Sequence, residues 1–243
     1  VVQEVDAEGG ITLNTYDSEN NLTSVTDPRG NTTTFIYDDR GNVLTETDAL
    51  GNTNTFTYND LSQVLTTTDA KGNVSTNRYD SRGNLVERED AVGNVTRYSY
   101  DASGNLETVT DAGNNVTSYS YDASGRVVEL KDAVGAITEF SYDKPGNLTS
   151  ITTPLGNETI FNYDAEGRLI KVIDAQGNET EIQYNAAGER STVIDALGRQ
   201  TFYEYNNRGL LVKTTYPDGT SDTFGYDAND QRISSTDRSG SVT

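Results

Sequence analysis

Residues 100–143 read YDASGNLETVTDAGNNVTSYSYDASGRVVELKDAVGAITEFSYD, and a Tyr-Asp pair stands at Tyr100-Asp101, at Tyr121-Asp122 and again at Tyr142-Asp143. The interval is 21 residues each time. Carried outward, it places Tyr at 16, 37, 58, 79, 100, 121, 142, 163, 184, 205 and 226, eleven positions with no insertion or deletion. A fixed period of this length marks a repeat architecture, in which each unit is one piece of supersecondary structure that relies on its neighbours.

Within the unit, the residue after Tyr is always Asp or Asn, and Gly stands three residues beyond it in eight of the eleven copies. The fullest copies are Tyr37-Asp38 with Gly41, Tyr79-Asp80 with Gly83, Tyr100-Asp101 with Gly104, Tyr121-Asp122 with Gly125, Tyr142-Asp143 with Gly146, and Tyr163-Asp164 with Gly167. This is turn chemistry. Asp at the first position accepts hydrogen bonds from backbone N–H groups ahead of it. Gly three residues later takes the left-handed conformation that returns the chain to strand twist. Asn20, Ser62 and Asp230 fill the glycine column in the other three copies, and Ser62 is the least suited of them to a positive φ. A second turn with the same grammar follows ten residues on, as in Asp27-Pro28-Arg29-Gly30 and Asp48-Ala49-Leu50-Gly51. Each unit therefore holds two strands and two turns.

The strand that ends in Tyr alternates. Thr stands four residues upstream in eight copies, such as Thr33 and Thr138, and an aromatic stands two upstream in eight, such as Phe35 and Tyr98. The interleaved residues are mostly polar, so the pattern predicts a Thr–aromatic–Tyr face and a polar face. The other strand spaces its aliphatics by three, as in Leu22 and Val25 or Leu106 and Val109. That spacing breaks alternation, and a bulge is one cause that fits. The fold expected is all-β: residues 1–243 as a single array of about eleven repeats, forming a long antiparallel hairpin ribbon of about 22 strands. Strongly twisted open sheets rarely exceed about ten strands without curling, so the ribbon is expected to coil into a curved shell or hollow spiral. A parallel β-solenoid with one coil per repeat is the alternative.

Composition narrows the function. Hydrophobic residues make up 33% of the chain, against roughly 45–50% apolar residues, Gly included, in ordinary globular chains. With no Cys and no His, thiolate chemistry and the commonest acid–base group and metal ligand are missing. The remaining carboxylates recur as turn residues, so none stands out as catalytic, and no enzyme is expected. A net charge of −20 repels phosphate backbones, so nucleic acid is not an expected partner. No apolar run is long enough to insert in a membrane as a helix. The chain has no initiator Met, and the expectation is that it comes from a longer protein.

The Tyr-Asp-x-x-Gly-(Asn/Arg)-(Leu/Val) pattern resembles the RHS/YD repeat. Tyr121-Asp122-Ala123-Ser124-Gly125-Arg126-Val127 and Tyr163-Asp164-Ala165-Glu166-Gly167-Arg168-Leu169 carry the likeness most closely. It extends from about Asp6 to Asp237. The family includes bacterial polymorphic toxins, insecticidal toxin complexes and animal teneurins. The resemblance implies a β-ribbon that spirals into a hollow shell, enclosing a C-terminal effector in the toxins and serving as a cell-surface scaffold in teneurins. The autoproteolytic core segment and effector of the toxins have no counterpart in this sequence, so what is implied is the shell-forming fabric or a stalk. The expected protein is a non-catalytic scaffold, secreted or at the cell surface. Its expected partners are other segments of the same large protein, further copies of it, an enclosed effector or a glycan. No cofactor is expected.

Three features admit a sharper reading. The aromatic ladder suits a glycan-binding stripe in an adhesion module, although cross-strand packing explains it more simply. The Asp ladder, with surplus acids such as Glu87, Glu89 and Asp90, suits Ca²⁺, although each Asp has a local role in its turn. Asn-x-Ser/Thr strings, as at Asn21, Asn94 and Asn147, suit glycan attachment, although a turn-to-strand consensus yields them as a by-product.

Overall fold

A computed structural model describes residues 1–243. Contacts divide the chain into two units, one of Val1–Tyr121 with Asp132–Gly135 and the other of Asp122–Lys131 with Ala136–Thr243. The first holds β1 (Val2–Val5), β2 (Ile11–Tyr16), β3 (Leu22–Thr26), β4 (Thr32–Tyr37), β5 (Val43–Thr47), β6 (Thr53–Tyr58), β7 (Val64–Thr68), β8 (Val74–Tyr79), β9 (Leu85–Glu89), β10 (Val95–Tyr100), β11 (Leu106–Thr110) and β12 (Val116–Tyr121). The second holds the strands β13 (Val127–Lys131), β14 (Ile137–Tyr142), β15 (Leu148–Thr152), β16 (Glu158–Tyr163), β17 (Leu169–Ile173), β18 (Glu179–Tyr184), β19 (Arg190–Ile194), β20 (Gln200–Tyr205), β21 (Leu211–Thr215), β22 (Ser221–Tyr226) and β23 (Arg232–Thr236). There is no helix.

Within each unit, consecutive strands pair antiparallel. The architecture is the meander. The parallel β-solenoid is excluded, because tight four-residue turns join neighbouring strands and only antiparallel neighbours can be joined that way. The strands number 23, one more than expected, because β1 completes a hairpin with β2 ahead of the first full repeat.

The two turns of a repeat share one hydrogen-bond pattern. In the first kind, the Asp38 N–H donates to the Asn42 carbonyl at 2.9 Å and the Gly41 N–H to the Asp38 carbonyl at 3.0 Å. In the second, the Asp27 N–H donates to the Asn31 carbonyl and the Gly30 N–H to the Asp27 carbonyl, both at 2.9 Å. Positive φ falls where the sequence placed it, at Gly41 (82°), Gly104 (92°) and Gly146 (113°), and also at Asn20 (67°), Ser62 (59°) and Asp230 (65°).

The aliphatic spacing of three comes from a bulge. Thr15 faces Ser24, but the next residue, Tyr16, faces Leu22, which leaves Thr23 as the extra residue. The same shift recurs at Tyr37, Tyr58 and Tyr100 in the first unit and at Tyr142, Tyr163 and Tyr184 in the second. One added residue restores the parity, so the residue paired with Tyr and the aliphatic three positions on share a face.

Neither unit has an apolar core. No hydrophobic side chain is buried, and the three buried residues, Asn14, Thr192 and Thr214, are polar. Along β4, Thr33, Phe35 and Tyr37 are half-buried while Thr34 and Ile36 are exposed, as alternation requires. Burial of the aromatic face comes from neighbours on the same sheet rather than from a second layer.

Candidate functional site

The candidate site is the edge formed by the Tyr-Asp turns. At each, Tyr closes a six-residue strand and Asp begins the turn. Asp38 Oδ1 accepts from the backbone N–H of Arg40 and of Asn42, each at 2.9 Å. Its Oδ2 accepts from Asn42 Nδ2 at 2.8 Å. Asp80–Asn84 and Asp101–Asn105 repeat the arrangement in the first unit, and Asp143–Asn147 repeats it in the second, with the first N–H coming from Gly146. The Asn42 side-chain amide, followed by its backbone N–H, holds the Asp38 carboxyl below the ordinary value of 3.8. The Asn four residues after Asp is thus the partner of the second carboxylate oxygen, and of these four only Asn147 also lies in a glycan-like string of the sequence.

In two copies Arg replaces that Asn. Arg126 Nε donates to Asp122 Oδ2 at 2.7 Å, and Arg168 Nε to Asp164 Oδ2 at 2.7 Å. The guanidinium then reaches the next repeat: Arg126 stacks 4.6 Å from the ring centroid of Tyr142, and Arg168 4.8 Å from that of Tyr184. Arg126 Nη1 also donates to the Asp143 carbonyl at 3.2 Å. Elsewhere the link to the next turn comes from Gln63, which donates to the Gly83 carbonyl at 2.7 Å, or from Arg40, which donates to the Asp60 carbonyl at 2.9 Å. The Tyr-Asp edge is cross-tied from repeat to repeat, a feature that no single 21-residue unit reveals.

The tyrosines are tied as well. The hydroxyl of Tyr37 donates to the Leu22 carbonyl at 2.8 Å, and the same bond to a carbonyl 15 residues upstream recurs at Tyr79, Tyr100, Tyr121, Tyr142 and Tyr163. Burial, and then the charge of Asp17, push the Tyr37 hydroxyl above its ordinary value of 10.0. The polar ends of these rings are therefore occupied by the sheet itself.

Shallow grooves run between successive Tyr-Asp turns. One, of about 810 Å³, lies among Asp143, Asn147, Phe161, Tyr163, Glu166 and Ile170. Another, of about 620 Å³, lies among Asp17, Asn21, Phe35, Tyr37, Asp38 and Arg40. Asp17 and Asp143 differ by 126 residues, six periods of 21, so the two grooves are copies of one feature of the repeat. Of the surplus acids, Glu87 lies between Arg78 at 3.2 Å and Arg97 at 3.0 Å. Asp90 accepts from the N–H groups of Val92 and Asn94 and from Asn94 Nδ2. No group of three or more acidic side chains is placed to hold a metal ion.

An antiparallel single-layer sheet built from locked Tyr-Asp turns defines a YD-repeat protein. The teneurin YD-shell family model matches residues 6–178, and the RHS repeat matches residues 184–221 and 205–242. The chain belongs to the teneurin YD-shell family. No curated protein matches it. Among solved structures, the crystal structure of TcdB2-TccC3 aligns with a TM-score of 0.76 at 20% identity, over 97% of this chain and 15% of that one. A crystal structure of TcdB2-TccC3-TEV aligns with a TM-score of 0.68 at 18% identity, over 96% and 16%. A Photorhabdus luminescens Tc holotoxin pore aligns with a TM-score of 0.58 at 18% identity, over 97% and 16%. These likenesses establish the shared fold. The chain spans about one-sixth of the length of those solved chains.

Proposed function

We propose that the chain is wall material: a non-catalytic segment of a large secreted or cell-surface protein, building a shell or stalk that encloses cargo or carries other domains. The observation behind this reading is that the potential ligand-binding groups of the repeat already bond to the repeat. Tyr hydroxyls bond to strand carbonyls, Asp oxygens to turn N–H groups, and Arg126 and Gln63 to the following turn. A sheet with no apolar core and a tied edge gains its strength from nearest neighbours, as solenoid arrays do. Membership of a YD-shell family supports the same reading, and the partners it implies are further segments of the same protein or further copies of the chain.

Small-angle scattering tests it. A wall segment should give a radius of gyration well above the roughly 18 Å expected of a globule of this length, and a value near that figure would overturn the proposal. A glycan array tests the rival. Specific binding that Phe35→Ala or Phe56→Ala abolishes would make the chain an adhesion module.

A further inference from the structure

Eight Asn-x-Ser/Thr strings occur in the chain, and the fold treats one of them differently from the rest. In seven, the Asn side chain belongs to a turn: its Nδ2 donates to the Asp carboxylate four residues back, at 2.7–2.9 Å. The eighth is Asn157-Glu158-Thr159, and four residues before it Thr153 stands in place of Asp. The Thr153 hydroxyl accepts the Asn157 N–H at 3.2 Å and offers no carboxylate to the side chain. Asn157 Nδ2 is therefore free, and the residue is exposed.

The repeat supplies a matched pair. Asn178-Glu179-Thr180 is the same tripeptide one period later, in the same unit and also with its Asn exposed. One leads into β16 and the other into β18. Asp174 accepts from the Gln176 N–H at 2.9 Å, the Asn178 N–H at 2.9 Å and Asn178 Nδ2 at 2.8 Å. Of those three side-chain bonds, the earlier turn keeps the one from Thr153 to the Asn157 N–H. The backbone frame is common to both: the Thr153 N–H donates to the Asn157 carbonyl and the Gly156 N–H to the Thr153 carbonyl, each at 2.9 Å, as Asp174, Asn178 and Gly177 do one period on. The two turns have one shape and differ in how firmly side chains fasten them.

We propose that Asn157 is the position at which the folded chain accepts an asparagine-linked oligosaccharide. Asn-x-Ser/Thr is the acceptor string for that modification in secreted proteins, so the proposal rests on the secreted or cell-surface reading. The donor is an oligosaccharide carried on a polyprenyl diphosphate, and the catalyst is an oligosaccharyltransferase. Asn157 Nδ2 attacks C1 of the first sugar. The Nδ2–C1 bond forms, the bond from C1 to the diphosphate oxygen breaks, that oxygen keeps the electron pair, and one Nδ2 proton passes to a base of the transferase. The nitrogen must be free for this step, and the string must leave its turn to enter an enzyme. At Asn178 that means breaking a charge-assisted bond to Nδ2 and two more to backbone N–H groups. At Asn157 it means breaking one bond to a hydroxyl, so local opening comes more easily. There is room for a bulky glycan, since Leu155 at the tip of the turn is 88% exposed and a Cβ built on Gly156 meets nothing within 4 Å.

The test is transfer in vitro to the purified, folded whole chain, using a purified oligosaccharyltransferase and a polyprenyl-diphosphate-linked chitobiose donor. Mass spectrometry reads the occupancy of each site at early times. Asn157 should exceed Asn178 by about tenfold or more, the ratio that one hydrogen bond to a charged group sets. Thr153→Asp, which restores the fastened turn, should lower Asn157 to the level of Asn178. Asp174→Thr should raise Asn178 towards Asn157; circular dichroism confirms that each variant is folded. An unmodified Asn157, or equal occupancy of Asn157 and Asn178 in the unaltered chain, overturns the proposal. So does occupancy of Asn157 that Thr153→Asp leaves unchanged, or a folded Asp174→Thr chain that gains nothing at Asn178. Transfer is measured outside any cell, so its failure is separate from failure of the wall reading, which scattering decides.

Discussion

The hydroxyl of Tyr37, the last residue of β4, donates to the carbonyl of Leu22, the first residue of β3, at 2.8 Å. The paired residues between those strands begin two positions further on, with Ser24 opposite Thr34. Leu22 sits at the bulge beside β2, so its carbonyl lies past the end of the β3–β4 ladder and the tyrosine supplies the donor. The most regular residue of the repeat thus repairs the irregularity that the repeat creates.

Tyr37→Phe should therefore destabilise the chain by about 1 kcal/mol, the usual net worth of one such bond, with a further cost where the orphaned carbonyl stays out of water. Tyr16→Phe is the control, since Tyr16 is 42% exposed and no bond to an upstream carbonyl is available to it. Urea denaturation of the two variants measures the difference, and equal midpoints would show that the hydroxyl bond contributes nothing.

The glycine column makes a prediction in both directions. Gly104 has φ +92° and nothing within 4 Å of a built Cβ, so a side chain there meets backbone strain and no clash. Gly104→Val should cost roughly 1–2 kcal/mol, the penalty for a left-handed L-residue. Ser62 occupies the same place at φ 59°, and Ser62→Gly should stabilise by about 1 kcal/mol by removing that penalty. Thermal melting of both variants checks the signs, and a destabilised Ser62→Gly would mean that the Ser side chain has a role of its own.

These turn positions were legible because their chemistry is local: Asp38, Gly41 and the strand end at Tyr37 lie within five residues, and eleven copies exposed the pattern. What was hidden depends on separation in sequence. The Leu22 carbonyl is 15 residues from Tyr37, and the Arg126–Tyr142 stack joins different repeats. Glu87 looked like a surplus acid because Arg97, on the next strand, is ten residues away. The Leu22-to-Val25 spacing signalled a broken parity but left its place open until the register showed Thr23 as the extra residue. At Asn147 the bond from Nδ2 to Asp143 Oδ2 was masked by the glycan-like string Asn147-Leu148-Thr149.

Occupied carboxylates bear on calcium. Asp101 receives Ser103 N–H at 2.9 Å, Asn105 N–H at 2.8 Å and Asn105 Nδ2 at 2.9 Å. Calcium takes six to eight oxygen ligands, and competing for these atoms means dismantling the turn. Chelation should leave the melting temperature unchanged, while Asp101→Ala should lower it more than Asp101→Asn, which keeps an acceptor. A fall on chelation that Ca²⁺ reverses would make the Asp ladder a metal ladder.

The same bonds set the response to pH. At Asp38, Asp48, Asp101 and Asp174, the side-chain amide four residues on is the leading cause of a carboxyl held below the ordinary 3.8. A group whose folded value is depressed contributes stability that is present above the unfolded value and lost as pH falls through the folded one. Acid should therefore loosen both kinds of turn together, starting only below 3.8 because no buried histidine titrates earlier: the chain has none. The tyrosines act at the other end. Burial is the leading cause that raises Tyr37, Tyr58 and Tyr100 above 10.0. Their contribution is present below 10.0 and lost as pH rises through the folded values, when phenolate formation removes the proton donated to Leu22, Val43 and Leu85. Urea midpoints across pH should form a plateau with a fall on each side. Tyr37→Phe should reduce the alkaline fall and leave the acid fall in place. A midpoint that drops between pH 5 and pH 7, a region near the reference histidine value of about 6.5, would contradict this account, since none of the shifted groups titrates there.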